Sequence, residues 1–245
     1  MAAVPATFAD LLDLRLRRDP GSPLVTWYDD DTGERVELST TTYANWVAKT
    51  ASLLADEHDL ERGDTLRIDL PSHWLGPVFL GAAWSVGLVA SFDQVGDAVV
   101  CGPTTVAGWA DSAARVPVLA CSLLPMGVRF TDPLPAGVHD VGVDVWSQPD
   151  AFLTADPPGP DDPAVLTAAG PQSHRALWEA AAAGSLVSDG GRLLTVANPA
   201  SPPGLPTFAE PLARGGSVVL VCNALPVRVH EIATAERATV HPGPS

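Results

Sequence analysis

Lysine is nearly absent from this sequence, since Lys49 is the single lysine in 245 residues. Basic residues as a whole are scarce, with 14 Lys and Arg against 29 Asp and Glu, which gives a formal net charge of −15 at pH 7. A chain of this charge repels nucleic-acid phosphates and anionic lipid surfaces. The composition therefore argues against nucleic acid and anionic membranes as partners.

Cysteine is also rare and shows no metal-binding pattern. The three cysteines, Cys101, Cys121 and Cys222, are far apart, and each lies in an apolar run such as "AVVC" or "VVLVC". The sequence contains no C-x-x-C pair and no His/Cys cluster that could hold zinc. The pattern predicts buried strand residues with free thiols, in agreement with a reducing, cytoplasmic location, and no metal.

Common catalytic signatures are missing as well. There is no G-x-S-x-G elbow for a hydrolase, no G-x-G-x-x-G loop for a dinucleotide and no H-E-x-x-H motif for a metalloprotease. Five of the six histidines are expected at the surface or at helix caps, and only His174 stands at a position of interest. The sequence thus offers no recognisable catalytic centre.

An export signal and a membrane span are not expected either. Asp10 and Asp13 interrupt the N-terminal stretch where a signal peptide needs an apolar run. The stretch Trp74 to Phe92 is uncharged over about the length that crosses a bilayer, but several glycines and Pro77 interrupt it. The break at Gly87, followed by "LVASF", predicts a buried helix that leads into a buried strand.

The order of elements predicts an α/β fold with a mostly parallel sheet covered by helices on both faces. Apolar strand-like runs alternate with helical patterns along most of the chain. The stretch "QPDAFLTADPPGPDDP" breaks this alternation, because clustered proline and aspartate disfavour regular structure. We therefore expect an N-terminal α/β lobe at 1–146, a Pro/Asp-rich linker at 147–162, and a second α/β lobe at 163–245 that shares the same core.

Two blocks of the sequence resemble a known family. The first contains Thr42-Tyr43, Gly63-Asp64, Leu70-Pro71 and "LGAAWSVG", and the second runs from Pro211-Leu212 through "GGSVVLV" to "ERAT". In this order they resemble the N-terminal part of the AMP-dependent synthetases, which form acyl- or aryl-adenylates. The resemblance implies the α/β fold of those enzymes and covers nearly the whole chain.

The resemblance fails at the loop that in this family wraps the phosphates of ATP. That loop is rich in Ser, Thr and Gly and carries a lysine, whereas the corresponding stretch here is Ala169-Gly170-Pro171-Gln172. The chain also ends at Ser245, before the family's adenine-contacting motif and its C-terminal domain with a catalytic lysine. We therefore expect that binding of ATP and Mg²⁺ is lost and that the chain has no cofactor.

The residues around the shortened loop form the candidate site. A strand that leads into a helix N-terminus favours anion binding, because the first N–H groups of the helix are free. Helix capping and a solvated arginine would explain the same residues without a ligand. The possible remnant anion or ligand site, suited to a small carboxylate, comprises Thr167, Gly170, Ser173, His174 and Arg175.

These observations favour a non-catalytic relative of the AMP-dependent synthetases that binds a small molecule or a protein. One alternative is an adenylating enzyme completed by another polypeptide, and another is an unrelated doubly wound binding domain. The missing half of the family's large domain would expose an apolar surface. We therefore expect a homo-oligomer or a protein partner.

Overall fold

A computed structural model describes residues 5–241 of the chain. The outer ends of the two predicted lobes, 1–4 and 242–245, lie outside the described residues. Within 5–241 the α-helices are α1 Phe8–Arg18, α2 Thr40–Ser52, α3 Leu75–Val86, α4 Val106–Trp109, α5 Val141–Asp144, α6 His174–Ala183, α7 Pro206–Ala213 and α8 Pro226–Glu236. The strands are β1 Pro23–Asp29, β2 Glu34–Ser39, β3 Thr65–Asp69, β4 Val89–Ser91, β5 Ala98–Cys101, β6 Val118–Ala120, β7 Val138–Asp140, β8 Pro163–Thr167, β9 Gly170–Ser173, β10 Arg192–Thr195, β11 Ser217–Cys222 and β12 Thr239–His241.

The strands form two sheets. The five-stranded sheet has the order β12-β10-β11-β1-β2, and the seven-stranded sheet has the order β7-β6-β5-β3-β4-β8-β9. The pairs β1–β2 and β8–β9 are antiparallel, and the other pairs are parallel. The predicted α/β class with mainly parallel strands is confirmed, with two sheets.

Each sheet combines strands from both sides of the Pro/Asp-rich segment. In the five-stranded sheet Val25 of β1 lies opposite Val218 of β11. In the seven-stranded sheet Ala90 of β4 lies opposite Val165 of β8. Residues 148–162 contain neither helix nor strand, so the segment connects two parts of the chain that build the same sheets. The division into two lobes stays a prediction.

Helix α3 lies at the centre of the core. Its residues are buried except Ser85, which is partly buried, and Gly87 ends the helix with φ of +93°, a conformation that favours glycine. Gly81 allows α1 and α2 to approach, since a Cβ there would lie 2.8 Å from Cζ of Phe8. The predicted buried helix that leads into a buried strand is thus confirmed, and no helix within 5–241 is long and apolar enough to cross a bilayer.

Aromatic side chains join α3 to the elements around it. Trp84 of α3 is fully buried, and its ring centroid lies 5.6 Å from that of Phe8, 5.2 Å from that of Trp178 and 6.4 Å from that of Phe208. Its indole Nε1–H donates to the carbonyl of Ala164 in β8, at 3.0 Å. Trp84 therefore links α1, α3, α6, α7 and the seven-stranded sheet.

Candidate functional site

The shortened loop is a β-hairpin. The sequence suggests a shortened loop at Ala169-Gly170-Pro171-Gln172, but the structure places Gly170 to Gln172 in β9, where Gly170 lies opposite Thr167 and Pro171 opposite Leu166. The turn is made by the two alanines between the strands. Thr167 closes it, because its Oγ1 donates to the carbonyl of Gly170 at 2.8 Å and accepts from the N–H of Ala169 at 3.2 Å.

The N-terminus of α6 is capped by protein groups. Oγ of Ser173 accepts from the N–H of Ala176 at 3.3 Å, so Ser173 is the N-cap of α6, in agreement with the interpretation of these residues as a helix cap. The N–H of His174 donates to the carbonyl of Asp162 at 3.0 Å, and the N–H of Arg175 donates to the carbonyl of Pro160 at 2.8 Å. The first N–H groups of this helix therefore already have acceptors.

The side chains of the candidate anion site point to different surroundings. Arg175 is exposed, and its Nε lies 3.1 Å from Oδ1 of Asp161. His174 is fully buried, and neither ring nitrogen has a hydrogen-bond partner in the part of the chain that the structure describes. Burial lowers the pKa of His174 to about 4, although Asp162 acts in the opposite direction. The imidazole is therefore neutral at pH 7 and contributes no charge for an anion.

Of the five residues of the candidate anion site, Thr167 lines a cavity. This space of about 460 Å³, here called the hairpin cavity, lies between the β8–β9 hairpin, α6 and α7. Its wall is mainly apolar and includes Phe92, Val165, Leu177, Leu205 and Ala209. Its volume is within the range of small-molecule sites, which are mostly apolar with a few polar groups.

Glu210 is the charged group of the hairpin cavity. It lies on α7, and only 3% of its surface is exposed. Its Oε1 accepts from the backbone N–H of Val187 at 3.1 Å. Among the described residues, no Lys, Arg or His nitrogen lies within 4.0 Å of its carboxylate. A buried carboxylate with so few partners is costly unless a donor reaches it, and a ligand in the cavity could supply one.

Gly184 makes room for this carboxylate. A Cβ at position 184 would lie within 2.4 Å of the Glu210 carboxyl carbon. Glu210 is not among the residues predicted from the sequence, although a single charged residue within the apolar helical run "LPTFAEPLA" is a usable signal. Packing of α7 against α6 gives this residue its position, and the sequence alone does not show that packing.

The other polar residues considered from the sequence have structural surroundings. Cys101 is a buried strand residue with a free thiol, as predicted, and burial raises its pKa to about 12. The prediction is wrong in part for the other two, because Cys121 is buried but follows β6, and Cys222 ends β11 only partly buried. His73, expected at the surface or at a helix cap, is buried, and its Nδ1 accepts from the N–H of Leu75 at the start of α3. Within 5–241 no group of three or more His, Cys, Asp or Glu residues could bind a metal ion.

A sequence comparison identifies the family. The chain is 35% identical over 237 residues to the TIGR03089 family protein of Mycobacterium tuberculosis, and the alignment covers 94% of this chain and 95% of that protein. The chain belongs to the TIGR03089 family. No protein-family model matches the sequence. The family name specifies no reaction, so the function is inferred from the fold and the site.

Solved structures with the same fold are acyl-CoA synthetases and CoA ligases. An acyl-CoA synthetase of Brucella canis superposes with a TM-score of 0.73 at 17% identity, over 90% of this chain and 44% of that chain. The N-terminal domain of FACL13 from Mycobacterium tuberculosis gives 0.69 at 16%, over 95% and 61%. The anthranilate CoA ligase AuaEII in complex with anthranoyl-AMP gives 0.73 at 13%, over 96% and 48%.

These values confirm the predicted resemblance to the N-terminal part of the AMP-dependent synthetases at the level of fold. The TIGR03089-family chain spans less than two thirds of the length of each of these solved structures. At this level of identity the likeness extends to the fold alone, because one fold serves many activities.

Proposed function

We propose that this member of the TIGR03089 family is a non-catalytic binding protein that holds a small, largely apolar molecule in the hairpin cavity. The observation that carries the proposal is the β8–β9 hairpin. It closes in a two-residue turn where the resemblance places a phosphate-wrapping loop, while the apolar cavity beside it stays open.

The hairpin has few groups for a nucleotide phosphate. Thr167 Oγ1 accepts the N–H of Ala169, and Pro171 has no N–H. Lys49 Nζ donates to the carbonyl of Gln148 and lies 3.1 Å from Oδ1 of Asp150, and it lines a different cavity. Loss of three charge-assisted hydrogen bonds at about 2 kcal/mol each corresponds to roughly ten-thousandfold weaker binding.

ATP is therefore expected to bind no tighter than the millimolar range. Isothermal titration with Mg-ATP measures this directly, and pyrophosphate exchange over a panel of carboxylic acids tests for an adenylate. Micromolar binding of ATP, or exchange by the isolated chain, would contradict the proposal. Exchange only after addition of a second polypeptide would instead support a divided adenylating enzyme.

The carboxylate of Glu210 indicates which end group the ligand carries. A ligand carboxylate would meet a buried like charge, whereas an ammonium or hydroxyl group would donate to the carboxylate in a medium of low polarity. The hairpin cavity therefore favours an apolar molecule with a donor end group over the small carboxylate expected from the helix N-terminus and Arg175.

Octylamine is expected to bind to the hairpin cavity at least tenfold more tightly than octanoate at pH 7. The Glu210→Gln variant should remove most of this difference, because glutamine keeps an acceptor for the N–H of Val187 but loses the charge. Glu179→Gln, which changes an exposed residue of α6, is the matched control. Equal affinity for both compounds, measured by isothermal titration, would refute the assignment of Glu210.

A further inference from the structure

A second cavity, of about 440 Å³, lies between β2, α2 and the segments that follow β3, β6 and β7. It is here called the tryptophan cavity and is defined by Trp46, Trp74, Met126 and Trp146. The nearby residues of β2 and α2, including Arg35 and Lys49, complete its wall. It shares no residue with the lining of the hairpin cavity.

The tryptophan cavity lies at the carboxyl ends of parallel strands. Trp74 follows β3, Met126 follows β6 and Trp146 follows β7. The strands β7, β6, β5 and β3 are neighbours in that order and pair in parallel. Their carboxyl ends therefore share one edge of the sheet, which is where open α/β sheets bind ligands.

The connections at this edge also switch from one face of the sheet to the other. Val100 of β5 packs into the core that contains α3, whereas Val99 and Cys101 pack with Val106 of α4 on the opposite face. The helices that follow β3 and β5 thus cover opposite faces, and the two strands are adjacent. A switch of this kind opens a crevice between the strand ends.

Three tryptophans form an aromatic part of the cavity wall. The ring of Trp46 lies 5.0 Å from that of Trp74 and 5.4 Å from that of Trp146, both in edge-to-face arrangements. Trp146 is 48% exposed and Met126 is 71% exposed. Large apolar side chains exposed at a cavity are typical of binding sites.

One residue that lines this cavity carries a polar atom without a partner. Trp74 is only 2% exposed, and its indole Nε1–H has no acceptor anywhere in residues 5–241. An indole N–H is a donor only, so an acceptor oxygen or nitrogen on a ligand would satisfy it and a cationic group would not. Buried indole N–H groups usually find such a partner.

We propose that the tryptophan cavity binds a planar aromatic molecule of one or two rings that carries an acceptor oxygen. The rings contact the indoles of Trp46 and Trp146, and the oxygen accepts from Nε1–H of Trp74. Aromatic rings suit these walls because edge-to-face and offset contacts between rings add to the gain from apolar burial. This site is independent of the hairpin cavity and of the proposal made for it.

Coumarin is a suitable compound for the test, since it has two fused rings and a carbonyl, and naphthalene is its counterpart without an acceptor. The seven indole N–H groups of the chain are observed in a ¹H–¹⁵N correlation spectrum and assigned with single Trp→Phe variants. We expect saturable, downfield movement of the Trp74 resonance with coumarin. Trp178 is the internal control, because its Nε1 is also buried without a described partner and does not line the cavity.

Two variants separate ligand binding from effects on folding. Trp146→Ala changes a half-exposed side chain and should weaken coumarin binding about tenfold with an unchanged spectrum elsewhere. Trp74→Phe should weaken coumarin binding about fivefold and leave naphthalene binding unchanged. No saturable shift at Trp74, or equal shifts at Trp74 with naphthalene and coumarin, would overturn the proposal.

Discussion

Replacement of Trp84 by alanine is expected to lower the free energy of unfolding by about 3–5 kcal/mol. The side chain is fully buried, contacts three other aromatic rings and donates to the carbonyl of Ala164. The substitution leaves a cavity between α3, α6 and α7 and an unpaired carbonyl. Urea denaturation followed by circular dichroism measures the change.

Trp146→Ala is the matched control for this experiment. Trp146 is also a tryptophan, but 48% of its surface is exposed, so its removal should lower the free energy of unfolding by about 1 kcal/mol or less. Equal losses in the two variants would contradict the central position that the structure gives to α3.

The free energy of unfolding is expected to fall steeply between pH 6.5 and pH 4. Burial lowers the pKa of His73 to about 3 and that of His174 to about 4, against opposing effects of Asp29 and Asp162. In this interval the unfolded chain binds protons at both imidazoles and the folded chain does not, so stability is lost as the pH falls. Each histidine contributes a slope of up to about 1.4 kcal/mol per pH unit.

Between pH 6.5 and pH 4 the titration of His174 alone lowers the free energy of unfolding by roughly 3 kcal/mol. The carboxylates with a lowered pKa, such as Asp29 and Asp162, act mainly below pH 4. The pKa of His58 is lowered by burial as well, so the His174→Phe variant should lose up to about half of the slope between pH 6 and pH 4.5. His230→Gln, at an exposed position, should keep it. A flat profile for the unchanged protein in this range would show that the buried imidazoles are not neutral.

The sequence predicts best those elements whose burial follows from composition. Helix α3 and strand β4 are apolar on all sides, and Gly87 marks their boundary with a backbone conformation that favours glycine. Strand β11 follows from its own sequence, because the run "SVVLVC" is apolar and rich in β-branched residues. Ser173 is recognisable as an N-cap, because the hydroxyl of a serine directly before a helical pattern can accept from a backbone N–H of the first turn.

Elements that depend on their neighbours escape this reasoning. Strand β9 has the sequence "GPQS" and β7 has the sequence "VHD", and neither has the pattern of a strand. Both form at the edges of the seven-stranded sheet, β9 through the turn closed by Thr167 and β7 beside β6. Their conformation comes from the neighbouring strand rather than from their own side chains.

The candidate sites are hidden from the sequence for a similar reason. The resemblance directs attention to the residues next to the missing phosphate loop, of which Thr167 lies at the hairpin cavity. Glu210 reaches that cavity from α7, and Trp46, Trp74 and Trp146 come together from distant parts of the chain. Such sets depend on the arrangement of strands across both sheets, which local patterns do not encode.

On the ribosome, the β1–β2 hairpin is complete long before its parallel neighbour β11 is made near the other end of the chain. Until then the β1 edge presents unpaired N–H and C=O groups and the apolar residues of "LVTW". Pairing between distant segments also slows folding, because the entropy of closing a long loop is lost before the contacts form. Folding of the five-stranded sheet therefore follows the synthesis of β11, and until then the nascent chain depends on protection of this edge from intermolecular pairing.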